Sequence, residues 1–268
     1  MGDWMSDYEW NAEDYAANSA AQEKWALELI ARLDLAPDAD VLDLGCGDGK
    51  VTAAIASRFS GGSVTGIDSS SSMIELARER HPPARYPNLK FIHMDMREIS
   101  LDERFDLAFS NAAMHWVKEL HGVMNKVFSL LRPGGRILFQ MGGEGNARHV
   151  VAILDEMIAS SRWRRYFTDF DFPYNFPGRE QAEEMLRAAG FGEMRVELFP
   201  REMEHDGTEG LKGWLRTTWL PYTQRLPASE RDEFIDEIAS RYLASHPPTA
   251  EGKVLVSMMR LQMEARRP

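Results

Sequence analysis

The chain alternates short apolar runs with longer stretches in which apolar residues recur every three or four positions. The runs read as buried strands and the recurring stretches as amphipathic helices. The spacing predicts a helix at about 18–33 with Trp25, Leu29 and Leu33 inward. Strands are predicted near 40–44, 63–67, 90–94, 105–110 and 135–141, with helical segments between them. A helix over 179–189, ended by Gly190, leads to a strand near 193–200, and the last strand falls near 253–265. Such alternation predicts an α/β fold with parallel strands joined by right-handed crossovers. Ligands of such sheets bind at the carboxyl ends of the strands.

Residues 41–49, Val-Leu-Asp-Leu-Gly-Cys-Gly-Asp-Gly, run a strand straight into three alternate glycines. A helical face follows, with Val51, Ile55 and Phe59 at spacings of four. Glycines let the backbone turn sharply and let a ligand sit close to the main chain, and a helix start offers unpaired N–H groups. A dinucleotide fingerprint needs a glycine at position 50, where Lys50 stands. A phosphate-binding P-loop needs Ser or Thr after Gly-Lys, and Val51 follows Gly49-Lys50.

The sequence Asp43-x-Gly45-x-Gly47-x-Gly49 instead resembles motif I of the class I S-adenosylmethionine-dependent methyltransferases. Four more segments share the resemblance: Ser63–Asp68, Phe91–Met96, Phe105–Asn111 and Leu131–Phe139. It spans about residues 10–200 and implies a Rossmann-like, seven-stranded, mostly parallel sheet with helices on both faces. The last strand is then antiparallel, between the fifth and sixth. The implied cofactor is S-adenosylmethionine, and an acid such as Asp43 suits its cationic ammonium and sulfonium. The resemblance places Asp68 on the ribose hydroxyls, Asp95 on the adenine amino group with Met96 beside the ring, and Asn111 at the active-site mouth. Tyr15, Ser19, Gly45, Cys46, Gly47, Gly49, Ser69 and Met73 complete the expected cofactor shell. A strand-ending Asp also serves as a helix cap or turn former, and Cys46 reads equally as a small filler.

The stretch 10–22 and Asn111–Val117 resemble a narrower group, the small-molecule carboxyl methyltransferases. In that group an N-terminal segment folds over the cofactor. Residues matching Gln22 and Trp116 help hold the acceptor carboxylate, to which amide and indole N–H groups can donate. A carboxylate is ionised at neutral pH, so in-line attack needs positioning and water exclusion rather than a base. His115 reads as base, positioning residue or structural histidine. A hydroxyl, amine or carbon acceptor would use it as base, and a non-catalytic cofactor-binding module is the remaining alternative.

Residues 162–178 and 205–250 lie outside the minimal fold and are rich in aromatics, among them Trp214, Trp219 and Tyr222. The expected organisation is one domain over 1–268. A cofactor-binding core at about 35–142 carries a substrate cover from about 1–25, 145–178 and 205–250. Arg162, Arg164 and Arg165 read as a solvated basic patch or as partners for a second acidic group. His93 reads as a strand residue with a local partner. The net charge of −11 speaks against nonspecific nucleic-acid binding. A single cysteine suits a reducing, cytoplasmic setting, and no apolar run is long enough for a membrane span. The seven histidines form no pair at metal-ligand spacing, so no metal is expected.

Overall fold

Seven strands form one sheet in the order β3-β2-β1-β4-β5-β7-β6. The computed structural model describes residues 8, 10–14 and 20–268, with Ala20, Ala21 and Gln22 described by backbone alone. The strands are β1 (Val41–Leu44), β2 (Val64–Asp68), β3 (Leu89–His93), β4 (Phe105–Asn111), β5 (Leu131–Gly142), β6 (Gly192–Asp206) and β7 (Lys253–Arg266). The first five pair in parallel, whereas β7 runs antiparallel between β5 and β6. The expected topology is therefore the observed one.

The helices are α1 (Ala20–Ala31), α2 (Lys50–Arg58), α3 (Ser71–Arg80), α4 (Leu120–Leu130), α5 (Arg148–Ala159), α6 (Arg179–Ala188), α7 (Gly207–Thr218), α8 (Leu220–Thr223) and α9 (Ala228–Ser245). Strand alternation divides the core. Leu42, Leu44, Phe105 and Ala108 join α4 and α6 on one face of the sheet. Val41, Val64, Leu107 and Phe109 join α1, α2 and α3 on the other. Trp25 and Leu29 of α1 are buried as predicted, while Leu33 is only partly covered. Gly190 ends α6 with a φ of 96°, and its N–H reaches the Arg187 carbonyl at 3.1 Å.

The structure corrects the extent of two strands. β5 begins at Leu131 rather than 135, and β6 runs on to Asp206 rather than ending near 200. β6 pairs with β7 from Gly192↔Arg266 to Asp206↔Lys253, but β5 pairs only with residues 260–266 of β7. The distal halves of β6 and β7 thus continue past β5 as a two-stranded ribbon. A hairpin alone is marginal in water and needs an apolar layer against it. Met203, Val254, Val256 and Met258 supply that contact, joining Leu154, Trp163, Trp214 and Phe234 in a third apolar cluster. This outer layer, built from α5 and α7–α9, has its own core.

Phe139 is fully buried in the sheet core, so Phe139→Ala is expected to cost about 3–5 kcal/mol of stability. Denaturant unfolding at constant m-value measures it, and a change below 1 kcal/mol would contradict the packing described.

Candidate active site

The glycine loop leaves β1 through residues that need left-handed backbone. Gly45, Gly47 and Gly49 have φ of 75°, 54° and 79°. A Cβ on Gly45 would lie 2.2 Å from the Ala113 Cβ, so the loop tolerates no side chain there. Gly49 serves a different end from the one expected. It lines neither groove described below; a Cβ on it would strike Phe91, and it turns the chain into α2. Ala112, just after β4, also takes a left-handed φ of 57°, an uncommon conformation for a residue with a Cβ.

A cleft of about 1070 Å³, including its open mouth, lies over the strand ends. Gly45, Gly47, Asp68, Ser69, Met73, Met96, Asn111, His115 and Trp116 all line it, which brings together most of the predicted residues. A smaller groove of about 410 Å³ shares Gly45, Gly47 and Asn111 and adds Glu23, Asp43, Cys46, Asp48 and Lys50. Trp10 reaches the cleft from the N-terminal stretch and packs edge-on against Trp116 at 5.1 Å. Tyr15, Ser19 and the Gln22 side chain lie outside the described residues.

Two carboxylates, buried Asp43 and half-buried Asp68, dominate the electrostatics. Asp68 Oδ2 accepts from the Gly47 N–H and Oδ1 from the Ser70 N–H, each at 2.9 Å. Burial nonetheless pushes its pKa up. Asp43 accepts from the Thr52 hydroxyl at 2.7 Å. Burial, only partly offset by that bond and reinforced by nearby Asp68, pushes it up to about 7. Acids held this way favour a cationic ligand. Lys50, on the same groove, already pairs with Glu23 at 3.3 Å. The lining therefore fits a sulfonium nucleoside and does not fit a pyrophosphate.

Asp95 stands apart from the other expected cofactor residues. It does not line the cleft. Its carboxylate accepts from the Arg97 backbone N–H at 2.7 Å and from the Arg97 guanidinium, because a short turn at Met96–Glu98 brings that side chain back onto it. Met94 and Met96 form the wall instead. Cys46 is buried at the edge of the smaller groove, and burial followed by the Asp68 and Asp43 charges pushes its thiol far up. His93 Nε2 contacts the Ser69 carbonyl at 2.9 Å. Arg162, Arg164 and Arg165 are exposed, as a solvated basic patch would be, and do not line the cleft; Arg162 pairs with Glu233 and Glu237 and Arg165 with Glu230, all on α9.

His115 is buried, and desolvation, with Arg260 adding to it, pushes it down to about 3. Trp116 packs against Tyr174 at 4.9 Å. The outer layer contributes Trp214, Thr217, Thr218 and Trp219, and the segment leading to α6 contributes Tyr174 and Phe176. Arg260 was not anticipated. It is 2 % exposed, lines the cleft, stacks over Trp25 at 5.1 Å and places Nε 3.5 Å from Gln140 Oε1. Its one sequence signal is a cation inside an otherwise apolar strand, Met258-Met-Arg-Leu-Gln-Met263.

Residues 41–135 match the family described as methyltransferase domain. Over 98% of its length the chain is 30% identical to trans-aconitate 2-methyltransferase of Shigella flexneri, covering 99% of that protein. The YcgJ protein of Bacillus subtilis superposes with a TM-score of 0.62 at 17% identity, over 91% of this chain and 98% of that one. Phosphoethanolamine N-methyltransferase 2 of Haemonchus contortus, solved with S-adenosyl-L-methionine, gives 0.60 at 20% identity, over 96% and 56%. The glycine loop, the acid-lined groove and this near full-length similarity lead to one conclusion: the chain belongs to the class I methyltransferases and is an enzyme that uses S-adenosylmethionine.

Proposed function

We propose that the methyl acceptor is the carboxylate of a small organic acid, so that the product is a methyl ester. The observation that carries this reading is Arg260, a buried cation in the wall of the cleft. A guanidinium matches a carboxylate in charge and in planar donor geometry. The titratable groups beside it point the same way. His115 is neutral and too weakly basic to take a proton, and burial raises the Tyr174 phenol well above its ordinary range. A hydroxyl or amine acceptor would need a base near neutral pKa. A carboxylate needs none. The named activity of the relatives, transfer to trans-aconitate, agrees with an acid acceptor.

The bound cofactor supplies an electrophilic methyl group on a positively charged sulfur. On this reading Asp68 holds the ribose, and Asp43, across the glycine loop, attracts the cationic end. Gly45 and Gly47 allow close approach, while Ser69, Met73 and Met96 flank the adenosine. Asn111 lies between the two grooves. Trp116, with Gln22, positions the acceptor, and His115 packs as a neutral ring behind it. The outer layer excludes water, which strengthens the attraction between carboxylate and sulfonium. At ~4 Å and an effective dielectric of ~20 that attraction is about 4 kcal/mol. A C–O bond forms as the S–CH₃ bond breaks, and no proton moves.

Incubation with methyl-labelled cofactor and a panel of acids, phenols and amines tests the acceptor class. Label released as methanol by mild alkali is the expected outcome; an alkali-stable product would refute the ester. The cofactor's charge favours ionised Asp43, so binding below pH about 7 is expected to release a proton. Affinity should then fall up to tenfold per pH unit below 7 and level off above it. Calorimetry in buffers of different ionisation enthalpy reads the proton, and Asp43→Asn should abolish the release. Asp68→Asn keeps an acceptor for one of the two N–H groups, sets its amide N–H₂ against the other, and removes the charge. It is expected to weaken cofactor binding by about 1–3 kcal/mol, and unchanged calorimetric affinity would remove Asp68 from the ribose site.

A further inference from the structure

We infer that the acceptor is a monocarboxylic acid with an apolar body, held at its head by Arg260 and along its length by a wall of aromatic rings. This rests on the carboxylate reading above and narrows it. Among the described residues that line the cleft, Arg260 is the only arginine or lysine. The residues outside the description, 1–7, 9 and 15–19, contain neither, so that segment brings no side-chain cation to the cleft. Asp68 adds a negative charge to the same lining. A second or third carboxylate on the acceptor would lose its water with no opposite charge to replace it.

The rest of the acceptor side is mainly aromatic ring and hydrocarbon, with Asn146, Thr217 and Thr218 as uncharged polar residues among it. Trp116, Tyr174, Trp219 and Trp214 follow one another at centroid distances of 4.9, 5.3 and 5.9 Å. Phe176 stacks on Tyr174 at 5.6 Å with an interplanar angle of 3°. The Tyr174 hydroxyl is spent on the Thr218 carbonyl at 2.7 Å, so the side chain offers its ring to the cleft. The indole N–H groups of Trp214 and Trp219 are sealed from solvent and meet no hydrogen-bond partner among the described residues, so the rings make up most of what these residues present. Such walls bind hydrocarbon by removing it from water and set no further cation against a second carboxylate.

The test uses the intact enzyme with labelled cofactor and three acids at matched concentration: decanoate, 3-phenylpropanoate and the tricarboxylate trans-aconitate. Benzylamine and a phenol serve as non-acid acceptors. At least tenfold higher kcat/KM for one of the two monocarboxylates than for trans-aconitate is expected. Quenching of tryptophan fluorescence, measured with S-adenosylhomocysteine present, should rank binding in the same order. Arg260→Lys should retain part of the acid preference, and Arg260→Gln should raise KM for the monocarboxylate tenfold or more with unchanged S-adenosylhomocysteine affinity. Trans-aconitate esterified as well as or better than both monocarboxylates would overturn this inference and leave the carboxylate reading standing. Transfer only to the amine or phenol would overturn both.

Discussion

The arrangement depends on negative charge kept out of water at the tips of β1 and β2. Asp43 is buried and Asp68 half-buried, and the hydrogen bonds each accepts do not compensate for lost hydration. The backbone around them is shaped accordingly. The left-handed glycine loop brings the Gly47 N–H to Asp68, and the left-handed Ala112 follows β4 beside the same loop. Folding and ligand affinity are thus coupled: the free protein carries an electrostatic burden that a bound cation relieves. The adjoining acidic groove follows the same logic.

Much of this was legible in the sequence because it is local. The glycine spacing, the strand-ending acids and the apolar alternation each involve residues within one βα unit, where chain connectivity fixes geometry. Asp95 shows what locality leaves out. The strand end was placed well, but Arg97 two positions later captures the carboxylate, and only side-chain geometry reveals that. Arg260 shows the opposite failure. It enters the site because β7 pairs antiparallel with β5, setting Arg260 beside Gly142, some 118 positions earlier in the chain. No spacing rule links such residues. The overhang of β6 and β7 was missed for the same reason, since strand length there is set by partner register rather than by composition.

The two halves of the site rest on different cores. The glycine loop and the acids belong to the sheet with its flanking helices. Tyr174, Trp214 and Trp219 belong to the cluster under α5 and α7–α9, joined to the sheet by the β6–β7 ribbon. The N-terminal stretch ties the two together. Ser72 of α3 donates to the Trp10 carbonyl at 3.2 Å, Arg80 pairs with Glu13, and Arg216 of α7 pairs with Asp14 at 2.7 Å. Recognition of the cofactor and of the acceptor can therefore change separately, because repacking one cluster leaves the other's contacts in place.

Arg260 also bears on how a catalytic cycle ends. On the carboxylate reading proposed above, an acid that becomes an ester gives up its charge in the same step that turns the sulfonium into a neutral thioether. The guanidinium, sunk in the wall, then faces a molecule that no longer answers it. A lodging built for an ion makes a poor home for its uncharged descendant, and departure follows from the chemistry itself.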